Sequence, residues 1–226
     1  MELDIYARSE DLLGIEEATE ELHRLYLELL QKYEATSLLD VGCGRGGLML
    51  LAKEAGIAAA GIDLSPVMVD AARTLGLEAS CCPVSEASGS YDAVTAVFDV
   101  VNFIAPDALD IFLDDVAERL NPGGLFLFDI NTLHGFANVA EGTMSAEDAT
   151  RFLSVDARFE NPLLQTRFTL FEAESEGCYR KEQHTLLQYF HPLKPFRKHP
   201  RFRMVEQLGV SLYDRDDKTL LILRRV

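Results

Sequence analysis

The chain has 226 residues, of which 37 are acidic and 21 are basic, so its formal net charge is −16. This length suits one ordinary folded domain, and a hydrophobic content of 48% argues against a disordered chain. Because an acidic surface repels phosphate backbones, the charge disfavours duplex DNA or long RNA as a partner. A cationic or neutral small molecule is compatible with it.

Up to residue 131, helical and strand patterns alternate. Leu22, Leu25 and Leu29 recur at helical spacing, which predicts a helix over residues 16–33. The predicted strands that follow cover residues 37–42, 58–64, 77–82, 91–98 and 124–130, and the predicted helices cover residues 48–55, 66–75 and 106–120. Because strands separated by helical crossovers run parallel, we predict an α/β fold with a mostly parallel, helix-covered sheet.

Beyond residue 131 the pattern changes to consecutive strands. Period-two alternation predicts antiparallel strands over residues 151–160, 163–174 and 178–191. The last two are expected to join at Glu176 and Gly177. A basic stretch over residues 192–203 follows, most simply a solvated face. The chain then ends in a predicted hairpin with strands at residues 210–213 and 220–223.

The cysteine and histidine pattern disfavours a metal site, and the N-terminal residues disfavour an export signal. The four cysteines lack CxxC spacing and the five histidines are scattered singly, so we expect no bound metal. The N-terminus carries acids where an export signal carries bases, and no apolar run approaches the ~20 residues needed to span a bilayer. We therefore expect a reduced, cytoplasmic protein with no membrane partner.

The strongest local signal is a glycine-rich turn between a strand and a helix, in residues 38–47 (LLDVGCGRGG). Glycines let a ligand approach the backbone, and the start of a helix offers free N–H groups. Gly42, Gly44 and Gly47 also satisfy G-x-G-x-x-G. The glycines alone therefore do not separate a dinucleotide from other nucleoside ligands.

Two carboxylates narrow the choice of ligand. Asp40 precedes the first glycine by two residues, where a negative charge repels a pyrophosphate and attracts an ammonium or sulfonium group. Asp63 ends the next predicted strand, where it can accept hydrogen bonds from two ribose hydroxyls.

In its motif order the chain resembles the class I S-adenosylmethionine-dependent methyltransferases, whose first motif reads (V/L)LD-x-G-x-G-x-G and whose second strand ends in an acid. Further matching segments are residues 90–94 (SYDAV), 98–104 (FDVVNFI) and 120–126 (LNPGGLF). The likeness runs over residues 38–132, and the terminal hairpin matches the reversed last strand of that fold. It implies a doubly wound, Rossmann-like, mostly parallel seven-stranded sheet with an antiparallel last strand.

The resemblance also implies S-adenosylmethionine as cofactor and a set of residues that bind it. The methionine part would lie at Asp40, Gly42, Cys43 and Gly44, the ribose at Asp63, the adenine at Leu64 and Met68, and the sulfonium beside Phe98. The family usually places an acid after the third strand to bind the adenine amino group. This chain departs from that pattern, because the positions there hold Cys82, Pro83 and Val84. Cys82 has a buried structural thiol as its alternative role.

The strands after the fifth look like the extra strands that cover the active site in small-molecule methyltransferases of this superfamily. We expect a cofactor-binding core of residues 1–135 and 192–226, opened by a helical segment over 1–34, and an inserted antiparallel β cap over 136–191. Residues 99–102 (DVVN) replace the Asn/Asp-Pro-Pro-Tyr of nucleic-acid amino methyltransferases, which argues against base methylation.

No motif is strong enough to assign a catalytic residue. The candidates for the substrate pocket are Tyr6, Arg8, Asp99, Asn102, His134, His184 and Tyr189. The segment that contains Tyr6 and Arg8 either folds over the cofactor or is a frayed terminus. Asp99 and Asn102 have turn capping as their alternative, and the two histidines and Tyr189 have surface or packing roles as theirs.

We expect an enzyme that moves a methyl group from S-adenosylmethionine to a nitrogen or oxygen of a small metabolite. The protein would mainly align the nucleophile in line and exclude water. Two alternatives stay open, namely an NAD-dependent oxidoreductase that uses the glycine pattern and a non-catalytic module that binds the cofactor. The choice between a monomer and a homodimer is open too.

Overall fold

The computed structural model describes residues 2–175 and 177–226. Its strands are β1 (Ser37–Val41), β2 (Ala58–Asp63), β3 (Glu78–Cys81), β4 (Tyr91–Ala96), β5 (Leu120–Asn131), β6 (Gly142–Glu147), β7 (Arg151–Glu160), β8 (Leu163–Ser175), β9 (Cys178–Tyr189), β10 (Phe202–Val210) and β11 (Lys218–Arg225). Its α-helices are α1 (Glu2–Ser9), α2 (Glu16–Lys32), α3 (Gly47–Glu54), α4 (Pro66–Thr74), α5 (Leu109–Arg119) and α6 (Lys194–Lys198).

The strands form a seven-stranded sheet in the order β10-β11-β5-β4-β1-β2-β3 and a four-stranded sheet in the order β6-β7-β8-β9. Strands β1 to β5 are parallel, and β11 lies antiparallel between β5 and β10. All pairs in the smaller sheet are antiparallel. The prediction of a Rossmann-like sheet with a reversed last strand is therefore confirmed.

The large sheet carries apolar side chains on both faces. On β5, Leu125 and Leu127 pack with the α2 residues Leu22 and Tyr26 in one cluster. The alternate β5 residues, Phe126 among them, pack with α5 in another cluster. Since neighbouring residues of a strand point to opposite faces, helices cover both sides of the sheet. In the described parts of the chain, no helix is both long and apolar enough to cross a bilayer.

The N-terminal segment is a helix, so the alternative of a frayed terminus is wrong. On α1, Ile5 is fully buried against the smaller sheet, in a cluster with Leu153, Phe168 and Leu170. An eight-residue helix is marginal by itself, and its packing against the sheet supplies the stability that the local sequence lacks.

The terminal hairpin was predicted with a first strand over residues 210–213, which is wrong. Strand β10 ends at Val210, and the Asp217 carboxylate holds the connection by accepting the backbone N–H groups of Leu212 and Tyr213 at 2.8 and 3.1 Å. The polar alternation of β10 hid it, because an edge strand that is half exposed needs few apolar residues.

Three other elements differ from their predicted positions or were not predicted. The largely exposed strand β6 was not predicted, and the basic stretch contains the short helix α6. Strand β5 begins at Leu120, which pairs with Tyr91, rather than at Gly124. The predicted junction residue Glu176 lies outside the described residues, so that part of the predicted turn stays a prediction.

Candidate active site

Strand β1 lies between β2 and β4, so the strand order reverses at β1. Open α/β sheets bind ligands beyond the carboxyl ends of their strands at such a reversal. Three residues predicted from distant parts of the sequence lie at this edge of the sheet: Asp40 on β1, Asp63 at the end of β2, and Phe98 just beyond β4.

The glycine-rich turn after β1 is fixed against β2. The Ile62 carbonyl accepts hydrogen bonds from the backbone N–H groups of Gly42 at 2.8 Å and Cys43 at 3.0 Å. Gly42 and Gly44 have φ angles of +70° and +53°, which disfavour a side chain. A Cβ on Gly42 would lie 2.5 Å from a Val100 methyl carbon, whereas a Cβ on Gly44 would meet nothing within 4 Å. Gly44 therefore leaves open space in which a ligand can approach the backbone.

Asp63 spans the turn and the start of α4. One carboxylate oxygen accepts the Gly44 backbone N–H at 3.0 Å, and the other accepts the Ser65 backbone N–H at 2.8 Å. Burial raises the pKa of Asp63, and these two bonds oppose the shift. Because each carboxylate oxygen can accept a second hydrogen bond, the geometry leaves Asp63 able to receive a diol.

Asp40 is almost fully buried and accepts a hydrogen bond from the Thr95 hydroxyl at 2.7 Å. Burial raises the pKa of this carboxyl to about 7, although the bond from Thr95 lowers it. Near neutral pH the group is thus divided between its neutral and charged forms. A cationic ligand would favour the charged form, so Asp40 can couple ligand binding to release of a proton.

The predicted adenine contacts lie around the ends of β2 and β3. Asp63 pairs with Cys81 between these strands, so residues 82–84 leave β3 beside Leu64. The Cys81 thiol lies 3.6 Å from the Leu64 carbonyl oxygen. The five predicted residues differ in burial: Leu64 and Pro83 are exposed, Cys82 is partly buried, and Met68 and Val84 are buried.

The backbone beyond β4 turns sharply. Phe98 and Asp99 have φ angles of 65° and 68°, a conformation that few residues other than glycine adopt. The Asp129 carboxylate on β5 accepts the N–H of Phe98 at 2.8 Å and the N–H of Asp99 at 3.1 Å. It also accepts the Tyr26 hydroxyl at 2.9 Å, and Asp129 and Tyr26 are both fully buried.

The buried Lys218 provides a positive charge beside these carboxylates. Its ammonium group pairs with Asp99, lies 3.7 Å from Asp129 and donates to the Asn131 side-chain oxygen at 3.1 Å. Burial lowers the pKa of Lys218, but the two carboxylates raise it by more, so the group stays protonated. Burial likewise raises the pKa of Asp129 while Lys218 opposes the shift.

The predicted residues Asn102 and Tyr189 meet where the smaller sheet approaches the core. The buried Asn102 side chain donates to the Tyr189 backbone carbonyl at 2.8 Å and accepts the Asn131 N–H at 3.0 Å. Asn102 therefore ties the end of β9 to the loop after β4 and to β5.

The predicted residues Arg8 and His184 form a second cluster. Arg8 on α1 pairs with Glu172 at 2.5 Å and with Glu182, and His184 lies 3.2 Å from Glu182. These contacts join α1 to β8 and β9. They place Arg8 and His184 between α1 and the smaller sheet.

Tyr6 on α1 packs against the smaller sheet and is within range of the carboxylate charges at the edge of the large sheet. Its ring packs edge-on against Phe168, with centroids 6.1 Å apart. Burial raises the pKa of Tyr6. The negative charge of Glu10 adds to that shift, and those of Asp99 and Asp63 add less. The Tyr6 hydroxyl therefore stays neutral and can donate a hydrogen bond.

Two further contacts hold α1 against the loops of the core. The Arg45 side chain, next to the glycine turn, donates to the Ala7 carbonyl at 2.8 Å, and the Ser65 hydroxyl donates to Asp4 at 2.8 Å. Helix α1 thus contacts the loops after β1 and β2 as well as the smaller sheet.

His134 lies elsewhere on the surface. It is 2.9 Å from Asp214 in the β10–β11 connection and 3.0 Å from the Asn138 side chain. These contacts fit the predicted alternative of a surface residue.

Sequence reasoning missed Thr95, Asp129 and Lys218. The signal for Asp129 was present, since an acid within a strand that is apolar on both faces must find buried partners. The sequence gives little indication that Lys218 is buried, because a lysine at the start of an apolar run is ordinarily exposed to solvent.

Part of the chain is similar in sequence to known methyltransferases. Residues 38–124 match a family model described as a methyltransferase domain. A ribosomal protein L11 methyltransferase of Clostridium botulinum is 36% identical over 116 residues, which are 48% of this chain and 36% of that protein. A ubiquinone biosynthesis O-methyltransferase of Xanthomonas oryzae is 36% identical over 105 residues, which are 42% of this chain and 43% of that protein. The matches thus span less than half of these relatives.

A structural likeness extends over the whole chain. The S-adenosylmethionine-bound amino pentose methyltransferase CalS10 of Micromonospora echinaspora superposes with a TM-score of 0.75 at 17% identity. The superposition covers 98% of this chain and 97% of CalS10. Both the large and the smaller sheet therefore belong to a fold that a solved structure shares.

Proposed function

We propose that the chain is a class I S-adenosylmethionine-dependent methyltransferase that transfers a methyl group from that cofactor to a nitrogen or oxygen of a small metabolite. The proposal is supported by the methyltransferase-domain match over residues 38–124 and by the fold that the whole chain shares with an S-adenosylmethionine-bound methyltransferase. One observation carries the proposal: α1 and the end of β9 contact the loops that follow Asp40, Asp63 and Phe98. A site covered by the chain's own elements favours a small acceptor over a macromolecule.

The residues at the edge of the large sheet fit the cofactor. The open space at Gly44 admits a ligand to the backbone, and Asp63 can accept hydrogen bonds from the ribose hydroxyls. Asp40 and residues 42–44 would hold the methionine part, and Leu64, Met68 and residues 82–84 would surround the adenine. The cofactor supplies an electrophilic methyl group when it is bound.

The chain's own contribution is to orient the acceptor and keep water out. Asp99 and Asn102 stand beyond β4, but Asp99 is paired with Lys218 and Asn102 holds the β9 carbonyl. The neutral Tyr6 hydroxyl approaches from α1 and can bind a polar group of the acceptor. An acceptor that arrives protonated must lose that proton before or during transfer.

We divide the chain accordingly into a core of residues 1–135 and 192–226 and a cap of residues 136–191. The likeness to an amino pentose methyltransferase supports a small acceptor, because it extends over the cap as well as the core. The likeness to a ribosomal protein L11 methyltransferase covers about half of the chain, and so supports a macromolecular acceptor less.

Cofactor binding is tested first, by calorimetric titration with S-adenosylhomocysteine and separately with NADH. We expect binding of the homocysteine compound alone. The variant Asp63→Ala should lose roughly 1.5–3 kcal/mol of binding free energy, the usual value of a hydrogen bond to a charged group. Asp70→Ala is the matched control, since Asp70 lies on α4 with its side chain 77% exposed. Binding of NADH alone would contradict the proposal.

Methyl transfer is then tested with a panel of amino sugars, small amines, phenols and carboxylates, with ribosomal proteins as a macromolecular arm. Release of S-adenosylhomocysteine measures turnover. Turnover with a small acceptor supports the proposal, and turnover confined to the proteins contradicts it. Binding without any turnover would instead favour the non-catalytic module.

A further inference from the structure

The two residues that follow β4 hold an unfavourable backbone conformation. Phe98 and Asp99 both have positive φ, at 65° and 68°, and neither is glycine. Such a conformation persists only where surrounding groups fix it, and it clusters at functional sites.

Asp129 fixes both residues from one side. Its Oδ1 accepts the Phe98 N–H at 2.8 Å and its Oδ2 accepts the Asp99 N–H at 3.1 Å. The carboxylate itself is oriented by the Tyr26 hydroxyl, 2.9 Å from Oδ1, which reaches it from α2. All of these groups belong to buried or partly buried residues, so water competes little with the bonds.

Lys218 fixes the same two residues from β11. Its ammonium pairs with the Asp99 side chain, stands 3.7 Å from Asp129 and lies 5.2 Å from the centre of the Phe98 ring. One cation therefore contacts the side chains of both turn residues and the carboxylate that binds their backbone. With Lys218 only 2% exposed, this arrangement has little freedom to rearrange.

The peptide between Phe98 and Asp99 is trans, because Asn161-Pro162 is the one cis bond among the described residues. In a planar trans peptide the C=O and N–H groups point in opposite directions. Because the Asp99 N–H points at Asp129, the Phe98 carbonyl oxygen must point away from it. The direction of this carbonyl is thus set by Asp129.

We propose that Asp129, oriented by Tyr26 and Lys218, is a positioning residue that fixes the direction of the Phe98 carbonyl oxygen, which would then face the methyl group of the bound cofactor. The proposal rests on the proposed function, because it requires a bound S-adenosylmethionine. Asp129 is fully buried and would act through the Phe98 backbone.

The test uses the full chain with S-adenosylmethionine carrying a ¹³C methyl group. The resonances of this methyl group report on a carbonyl oxygen nearby, and they need no acceptor. Tyr26→Phe removes one hydroxyl and keeps the ring. Tyr33→Phe is the matched control, because Tyr33 follows the same helix and donates instead to Glu206 at 2.7 Å. We expect Tyr26→Phe to move the bound methyl resonances and Tyr33→Phe to leave them in place.

Kinetics with an active acceptor give a second readout. Tyr26→Phe should lower kcat about tenfold, as expected when one hydrogen bond to a charged group is lost, with the KM for S-adenosylmethionine within about twofold of wild type. Asp129→Asn should move the methyl resonances further, because an amide can accept at one of the two positions only. If Asp129→Asn fails to fold, the result for Tyr26→Phe decides whether Asp129 has the positioning role.

The outcomes separate the two proposals. Unchanged methyl resonances and unchanged kcat in a folded Tyr26→Phe would overturn the positioning role while leaving the proposed function intact. A wild-type chain that binds S-adenosylmethionine but has no turnover would contradict the proposed function, and the resonances would still decide the positioning role. A wild-type chain that binds no S-adenosylmethionine would overturn both.

Discussion

The Thr95 hydroxyl donates a 2.7 Å hydrogen bond to the Asp40 carboxylate between two parallel strands that are neighbours in the sheet. The two residues are register partners on β4 and β1, the strands at which the chain reverses its order of strand addition. This bond partly offsets the cost of burying a carboxyl group beside the cofactor site. Thr95 thereby controls how readily Asp40 becomes negative.

Replacing Thr95 with valine should weaken binding of the cationic cofactor. Valine keeps the shape but removes the donor, so the pKa of Asp40 should rise further and less of the carboxyl is charged at pH 7. We expect about a tenfold loss of affinity at pH 7, on the scale of one hydrogen bond to a charged group. Isothermal titration with S-adenosylmethionine measures it.

The control for that substitution is Thr74→Val, because the Thr74 hydroxyl bonds to the Asp70 carbonyl within the exposed face of α4. It should bind like wild type. Equal affinities for Thr95→Val and wild type from pH 6 to 8 would show that Asp40 does not need its donor.

Cofactor affinity should depend on pH because burial raises the pKa of Asp40 to about 7. Below that pH the cation must first displace a proton from Asp40, so affinity should fall up to tenfold for each pH unit and level off above it. In Asp40→Asn this dependence should disappear and affinity should be uniformly low. Titrations at pH 5.5 to 8.5 measure both. A wild-type profile that coincides with the asparagine profile would contradict the assignment.

The raised pKa of Asp40 has the opposite effect on the stability of the fold, which should decrease as pH rises. A carboxyl whose pKa is higher in the folded chain than in the unfolded chain stabilises the fold in its neutral form, so its contribution is present below about pH 4 and is lost as pH rises to about 7. Asp40→Asn should therefore be more stable than wild type at pH 8 and close to it at pH 4. Urea unfolding at the two pH values tests this, and equal differences at both would contradict it.

The part of the site that could be predicted from sequence is the part whose signals are local. A short apolar strand, two glycines at positive φ and an acid two residues before them lie within eight residues, and the ribose acid ends the next strand. The geometry of these turns and strand ends is determined by the residues within them, so a local sequence pattern is enough to predict it.

The network around Asp129 could not be predicted, because its members are distant in sequence. Lys218 and Asp99 are separated by 119 positions, and Tyr26 and Asp129 by 103. Their pairing follows from β11 lying beside β5 and from α2 packing over β5, which local periodicity does not specify. Strand β6 was not predicted, and α1 was not distinguished within the helical segment expected over residues 1–34, because tertiary packing rather than local propensity forms these elements.

Removing the ion pairs of Arg8 should loosen α1. Arg8→Ala deletes the contacts to Glu172 and Glu182 that join α1 to the smaller sheet. At ~1 kcal/mol for partly exposed pairs, we expect amide exchange in residues 2–9 to quicken about fivefold. Arg158→Ala is the control, since Arg158 is 77% exposed and lies 4.0 Å from Asp156. Hydrogen exchange read by mass spectrometry measures it, and no change in α1 would show that the ion pairs of Arg8 do not hold the helix.

Lys218→Met should be the most destabilising of these substitutions. It leaves Asp99 and the fully buried Asp129 without their cation, and breaking a buried pair from one side costs about 3–5 kcal/mol. The pKa of Asp129 should then rise further, so the loss of stability should grow as pH increases and the buried Asp129 is forced to ionise. The double variant Lys218→Met with Asp99→Asn removes one of the stranded charges and should recover part of the loss. Urea unfolding of the two variants at pH 5 and pH 8 measures these differences. A loss that is the same at both pH values, or that Asp99→Asn does not reduce, would mean that the lysine stabilises the fold through packing of its alkyl chain instead of its charge.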